Sequence, residues 1–193
     1  DKATLVAELT DGSFLYGETA IDVPRGDQRE KIKNTFLVPH HSDRVRVYPP
    51  VVDAIARADL IIIGPGDLFT SIIPNLLVPG VKEAIKDSRA ELLFAVNIMT
   101  KFGETDNYKI KDFVVKAEEF IGRKVNKVLA NSAKPKKEIL DKYEKQKARF
   151  VEMDLGAYWE NREVIASDLL DISGGIIRHD DKKLAEAIKQ IIK

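Results

Sequence analysis

Two segments bring together amides and polar side chains able to hold an anion. The first is Gly64-Pro65-Gly66-Asp67-Leu68-Phe69-Thr70-Ser71-Ile72-Ile73-Pro74-Asn75, reached from the apolar run Ile61-Ile62-Ile63. Glycines admit positive φ and let backbone amides approach a ligand closely. Thr70 and Ser71 add hydroxyls where a helix could begin, and the free N–H groups of a helix start attract anions. Phosphate suits this chemistry. The plainer alternative is a strand-ending turn with Ser71 as a cap. The second segment, Asn97-Ile98-Met99-Thr100-Lys101-Phe102-Gly103-Glu104-Thr105-Asp106, follows another apolar run. Asn97, with a donor and an acceptor on one side chain, can read a base or sugar edge, and Thr100 adds a hydroxyl. Glu104 and Asp106 could hold Mg²⁺ beside a diphosphate. Alternatively, Asp106 caps the next helix and Gly103 serves a turn.

Arg178 is a third candidate. It follows Gly174-Gly175 and precedes the last helical stretch, where the helix dipole gives a cation nothing, so a bound phosphate or carboxylate would explain it. Other chemistries find no support. No G-x-G-x-x-G occurs at Gly64, where Phe69 stands in place of the third glycine, and no P-loop pattern or G-x-S-x-G elbow is present. His40 and His41 would point to opposite faces of a strand, which disfavours a shared metal. Tyr158 and Trp159 read as core anchors in a polar stretch.

The elements that must position these residues follow from composition and periodicity. The 193 residues carry 31 Lys+Arg and 31 Asp+Glu, with 44% hydrophobic and 32% charged residues, as in an ordinary globular chain. Zero net charge disfavours a nucleic-acid or membrane-surface binder. The absence of cysteine excludes disulfides, thiol nucleophiles and cysteine-ligated metals. No apolar run is long enough to span a membrane and no signal peptide opens the chain, so a cytoplasmic location is expected.

Thr4–Leu9 and Ser13–Tyr16 read as strands joined at Asp11-Gly12, a hairpin signal. Further extended segments are predicted at Thr35–Val38 and Arg44–Tyr48. Beyond Pro49-Pro50, helical spacing alternates with short apolar runs. Helices are expected around Val51–Ala58, Val81–Ile85, Ile110–Ile121 with Gly122 as its stop, and Ile139–Tyr143. A final helix over Leu184–Ile192 is capped by Asp180 or Asp181. Strands are expected at Leu60–Ile63, Leu92–Val96, Val125–Ala130 and Phe150–Met153. Apolar strands without a polar face are covered on both sides, which makes the fold α/β with a parallel sheet. Ligands of such sheets bind outside the carboxyl ends of the strands, where both polar segments lie. Their amides and hydroxyls are expected to form one cradle.

The first segment, continued through Leu76-Leu77, resembles the G-P-G-S-L-[YF]-T-S-I-x-P-N-L-L motif of the CofD-like superfamily, whose founding member is 2-phospho-L-lactate transferase. Asn97-Ile98-Met99-Thr100 with Gly103-Glu104-Thr105 is similar to the N-x-M-T-Q-x-G-E-T segment of its bacterial YvcK branch, the gluconeogenesis factors, and Arg178-His179-Asp180 is similar to that branch's carboxyl end. The likeness runs from about Leu5 to the end. It implies a single CofD-like domain over residues 1–193, a Rossmann-like three-layer αβα sandwich with a mainly parallel sheet.

The resemblance further implies a regulatory protein that binds nucleotide sugars such as UDP-N-acetylglucosamine, linked to carbon metabolism and cell shape. Gly64, Gly66, Asp67, Thr70, Ser71 and Asn75 would line the diphosphate and sugar region, with Asn97 and Thr100 at the neighbouring strand end and Arg178 as an anion clamp. Mg²⁺ would accompany the diphosphate. Self-association into a homo-oligomer is compatible with this reading. The alternative is a transferase acting on a deazaflavin acceptor. Two departures stand out: Asp67 replaces Ser, placing a negative charge near the proposed phosphate, and Lys101-Phe102 replaces Gln-Pro. The family's strand and Gly-Gly-Gly-Thr-Gly type loop are not found, so the chain reads as a member without its amino-terminal strand and segment.

Overall fold

A computed structural model describes residues 2–26, 28–41, 43–154, 159 and 161–192. The chain opens with an antiparallel sheet in the order β2-β1-β3, made of β1 (Ala3–Leu9), β2 (Phe14–Tyr16) and β3 (Ile32–Pro39). The β1–β2 hairpin turns at Asp11, whose Oδ1 accepts the Ser13 N–H at 2.9 Å. Between β2 and β3 lies a short helix, α1 (Glu18–Asp22).

The α/β part then begins with α2 (Pro49–Arg57). A parallel sheet in sequential order follows: β4 (Leu60–Ile63), β5 (Glu91–Ala95), β6 (Lys127–Asn131) and β7 (Glu163–Ser167). Register pairs Ile61 with Leu92, Leu93 with Lys127 and Leu129 with Ile165. A π-helical turn (Leu68–Ile72) runs into α3 (Ile73–Leu76), and α4 (Val81–Asp87) precedes β5. The long helix α5 (Ile110–Ile121) leads to β6, and α6 (Lys137–Lys145) follows it. A small antiparallel pair, β8 (Leu170–Asp171) and β9 (Arg178–His179), precedes α7 (Asp181–Ile192). Asp180 caps α7, its Oδ1 accepting the N–H groups of Lys182 and Lys183.

Alternation along the inner strands builds three layers. Leu92, Phe94, Val128 and Ala130 face one core with α3, α4 and α5. Leu93 and Leu129 face the other, where Ala187 and Leu184 of α7 pack. Five residues of α5 spaced three and four apart (Ile110, Phe113, Val114, Ala117, Ile121) are buried, which fixes that helix on the sheet. Each of the larger side chains contributes about 1.5–3 kcal/mol on burial. The first sheet adds Leu5, Ala7, Leu9 and Ile32 to the same core. Trp159 is buried there too, as expected; Tyr158 lies outside the described residues. No single helix among the described residues is long and apolar enough to cross a membrane.

Two expected strands are corrected. Arg44–Tyr48 is not a strand: Val47 packs on the core, and Tyr48 is the N-cap of α2. Phe150 forms an isolated antiparallel bridge with Met99, and the fourth sheet strand is β7, which the apolar runs did not reveal.

Candidate functional site

The site is built where β4 and β5 end. Gly64 has φ +76°, and a Cβ there would lie 2.7 Å from the Ala95 carbonyl oxygen, so only glycine lets the turn leave β4 against the end of β5. Beyond these ends lies a cleft of about 670 Å³, lined by Gly66 and Asp67 from the first turn and by Asn97, Thr100 and Lys101 from the second. Arg178 and His179 of β9 form its far wall. His179 Nε2 lies 3.2 Å from the Val96 carbonyl, and burial pushes its imidazole down from the usual value, partly opposed by that backbone bond. The Tyr143 hydroxyl of α6 accepts the Ile177 N–H at 2.7 Å and holds α6 at the cleft's side.

Asn97 Oδ1 is buried and has no hydrogen-bond partner. Buried carbonyl-type oxygens are nearly always paired, which makes this acceptor an exception. Thr100 is tied into the structure. Its N–H donates to the Arg149 carbonyl at 2.7 Å and its hydroxyl accepts the Arg149 N–H at 2.8 Å, which laces the 149–151 segment to this loop. Arg178 is exposed and paired: Nε donates to Asp171 Oδ2 at 2.9 Å, and Nη2 lies 3.3 Å from the Ser173 hydroxyl. The guanidinium, followed by the Ser173 bonds, holds the Asp171 carboxyl down at about 2. Arg178 also lies in β9 rather than at a helix start, so Asp171 supplies the anion that the sequence reading sought in a ligand.

The expected single cradle is divided in two. Ser71 and Asn75, with Gly64, line a separate depression of about 330 Å³, and only Pro65 and Gly66 border both. Asn75 Nδ2 donates to the Ser71 carbonyl at 2.7 Å, a local bond within the turn of helix. Thr70 is buried and lines neither hollow; its hydroxyl lies 3.4 Å from Asp22 Oδ1. Nor are the amides at this helix start all open to a ligand, because the Phe69 N–H faces Glu104 Oε2 at 3.4 Å. The protein's own carboxylate stands there.

Beside the cleft, Lys101 is the centre of a charge cluster that sequence reasoning missed. Its ammonium pairs with Asp22 at the end of α1, with Asp67 at 2.5 Å and with Glu104 Oε1 at 3.4 Å. Burial opposes the charged lysine, but the bonds to Asp22 and Asp67 outweigh it and raise its pKa. The Glu104 side chain is fully buried. Desolvation, opposed by Lys101 and aided by Asp67, pushes its carboxyl up to about 7. Arg29 approaches from the other side. Its Nη1 donates to the Ile21 carbonyl at 2.6 Å, and burial lowers its pKa against the attraction of Glu104, Asp106 and Asp22. Asp106 does not join Glu104 as a ligand pair, since its Oδ2 accepts the Gly103 N–H at 2.8 Å. The sequence did carry a signal for part of this cluster: Asp67 and Lys101 both depart from the resembled motifs, as Phe102 does. Nothing flagged Asp22.

A family model described as "2-phospho-L-lactate transferase CofD" matches residues 1–170. The chain belongs to the CofD family. Within that family it is 41% identical to a protein of Thermotoga maritima named "Putative gluconeogenesis factor", over 99% of this chain and 60% of the relative. It is 38% identical to the "Gluconeogenesis factor" of Bacillus subtilis, over 98% of this chain and 58% of that protein. A crystal structure of a UPF0052 family member from Bacillus halodurans superposes with a TM-score of 0.85 at 34% identity, covering 97% of this chain and 59% of the other. The chain therefore spans about 60% of the length of these CofD-family relatives. Two of these three relatives bear the name gluconeogenesis factor.

Proposed function

We propose that this chain carries part of the ligand site of a cytoplasmic regulatory protein of the gluconeogenesis-factor type, and that the ligand is a nucleotide sugar with a diphosphate, of which UDP-N-acetylglucosamine is the test case. The regulated processes would be central carbon metabolism and cell shape. The observation that carries this reading is the buried, unpaired Asn97 Oδ1 on a cleft at the strand ends. A uracil N–H, a sugar hydroxyl or an acetamido N–H would each satisfy it. The cleft volume falls within the range of small-molecule sites. Lys101 removes the objection raised by Asp67, because the carboxylate that would repel a phosphate is already paired. A Mg²⁺ bound with the diphosphate belongs to the same proposal.

Calorimetry on the full-length protein with UDP-N-acetylglucosamine tests it. Saturable heat that Asn97→Ala abolishes is expected; no heat at about millimolar ligand, where even weak sites fill, overturns it. The second reading, a transferase acting on a deazaflavin acceptor, is favoured by the description of the matching family model. Product formation with that acceptor would establish it instead.

A further inference from the structure

We infer that a second hollow, walled by β2 and the segment between α1 and β3, is a binding site for a small organic anion with an aromatic body. The proposed nucleotide sugar does not use it. It measures about 880 Å³ against about 670 Å³ for the cleft at the strand ends, and only Pro24 and Phe102 border both. Both volumes suit a small molecule.

The acids of this wall are engaged and its arginines are not. Asp11 accepts the Ser13 N–H at 2.9 Å and the Ser13 hydroxyl at 2.6 Å, and Glu30 accepts the Thr10 hydroxyl at 2.7 Å. Arg25 has no hydrogen-bond or ion-pair partner among the described residues. Arg29 commits Nη1 to the Ile21 carbonyl, while its Nε and Nη2 make no hydrogen bond. A guanidinium donates and never accepts, so two of them left short of acceptors call for an anion. Arg29 is also fixed in position. It packs with Pro24 on the backbone of Gly103, where a Cβ would lie 2.6 Å from Arg29 Cδ and 3.0 Å from Pro24 Cγ.

Aromatic rings supply the other half of the recognition. Phe14 is 45% and Tyr16 67% exposed, and their ring centroids lie 6.4 Å apart. Phe102 joins the lining from the loop after β5. Rings left open to water take up a planar aromatic by stacking. One hollow thus holds both ring faces and unpaired guanidinium donors, the combination that suits an aromatic carboxylate, sulfonate or phosphate.

The test uses anilinonaphthalene sulfonate as the probe, with the full-length protein, and reads its fluorescence. One saturable site per chain is expected. Arg25→Gln should weaken binding about tenfold, by loss of a charge-assisted hydrogen bond. Tyr16→Ala should weaken it about threefold or more, by loss of stacking. Both side chains are exposed, so the melting temperature should hold. Phenylnaphthylamine, the same rings without the sulfonate, should bind about tenfold more weakly and be indifferent to Arg25→Gln. Asn97→Ala and excess UDP-N-acetylglucosamine should leave the probe in place, so failure of the nucleotide-sugar reading would not touch this one. The inference is overturned if the probe does not saturate, if the uncharged analogue binds equally well, if the nucleotide sugar displaces the probe, or if Arg25→Gln changes nothing. Should Tyr16→Ala melt early, Arg25→Gln and the uncharged analogue decide.

Discussion

The Asp67 carboxylate and the Lys101 ammonium lie 2.5 Å apart, although 34 positions separate them in the chain. Each is a departure from the motif its segment resembles, and together they compensate. The first prediction is a thermodynamic cycle. Asp67→Ser and Lys101→Gln should each destabilise the fold, and the double variant should be more stable than the sum of the singles requires. The coupling is expected at about 1 kcal/mol, since both groups are partly exposed and screened. Urea denaturation of the four proteins measures it.

Glu104 makes stability depend on pH. Its carboxyl sits at about 7 in the fold against an ordinary 4.5, so the folded state holds the proton more tightly than the unfolded one. The stabilisation from this group is fully present below pH 4.5 and is lost as pH rises through 7. Glu104→Gln, which mimics the protonated acid, should match the unaltered protein at pH 4.5. Above pH 7 it should be more stable by about 2–3 kcal/mol. Denaturation midpoints across that range, with a chelator present, give the difference; a constant offset would contradict it.

Gly64 should tolerate no side chain. Alanine there meets both a positive φ and the Ala95 carbonyl, and a loss of about 2–4 kcal/mol is expected. Gly66→Ala is the control. Its Cβ would lie 3.3 Å from the Ser71 Cβ, with no left-handed backbone to strain, so the cost should stay under about 1 kcal/mol. Thermal melting of the two variants compares them directly.

Asn97 separates binding from folding. Because its Oδ1 makes no internal bond, Asn97→Ala should leave the melting temperature nearly unchanged. Affinity for a nucleotide sugar should fall about tenfold or more, the value of a well-placed hydrogen bond or two. Loss of stability without loss of affinity would assign the residue to the core instead.

Much of the architecture was legible because its signals are local. The spacing from Ile110 to Ile121 with Gly122 behind it defines α5, the runs at Leu92 and Val125 mark the inner strands, and that at Leu60 marks the edge strand β4. β7 escaped because it lies at the side of the sheet, with none of its residues fully buried, and Glu163-Val164-Ile165-Ala166-Ser167 offers only a brief apolar stretch. Arg44–Tyr48 alternates as a strand should, yet Val47 is held instead against Gly80, where a Cβ would approach it to 2.7 Å. At the candidate site, Asn97, Thr100 and Asp67, singled out by residue type, line one cleft at the ends of β4 and β5. That Ser71 turns to another hollow, and that Asp22 reaches Lys101 across 79 positions, depends on packing that no local pattern encodes.

The sequential strand order has a practical outcome for handling these 193 residues. Leu60–Ile63 is bonded to β5 on one flank alone, and Ile62 is 43% exposed. The other flank has no strand partner among the described residues, and the β-branched stretch holds no charge or proline to discourage another chain from zipping alongside. Protein concentration, more than heat, should govern how long a preparation of this polypeptide stays monodisperse. A lysine in place of Ile62 should extend that time.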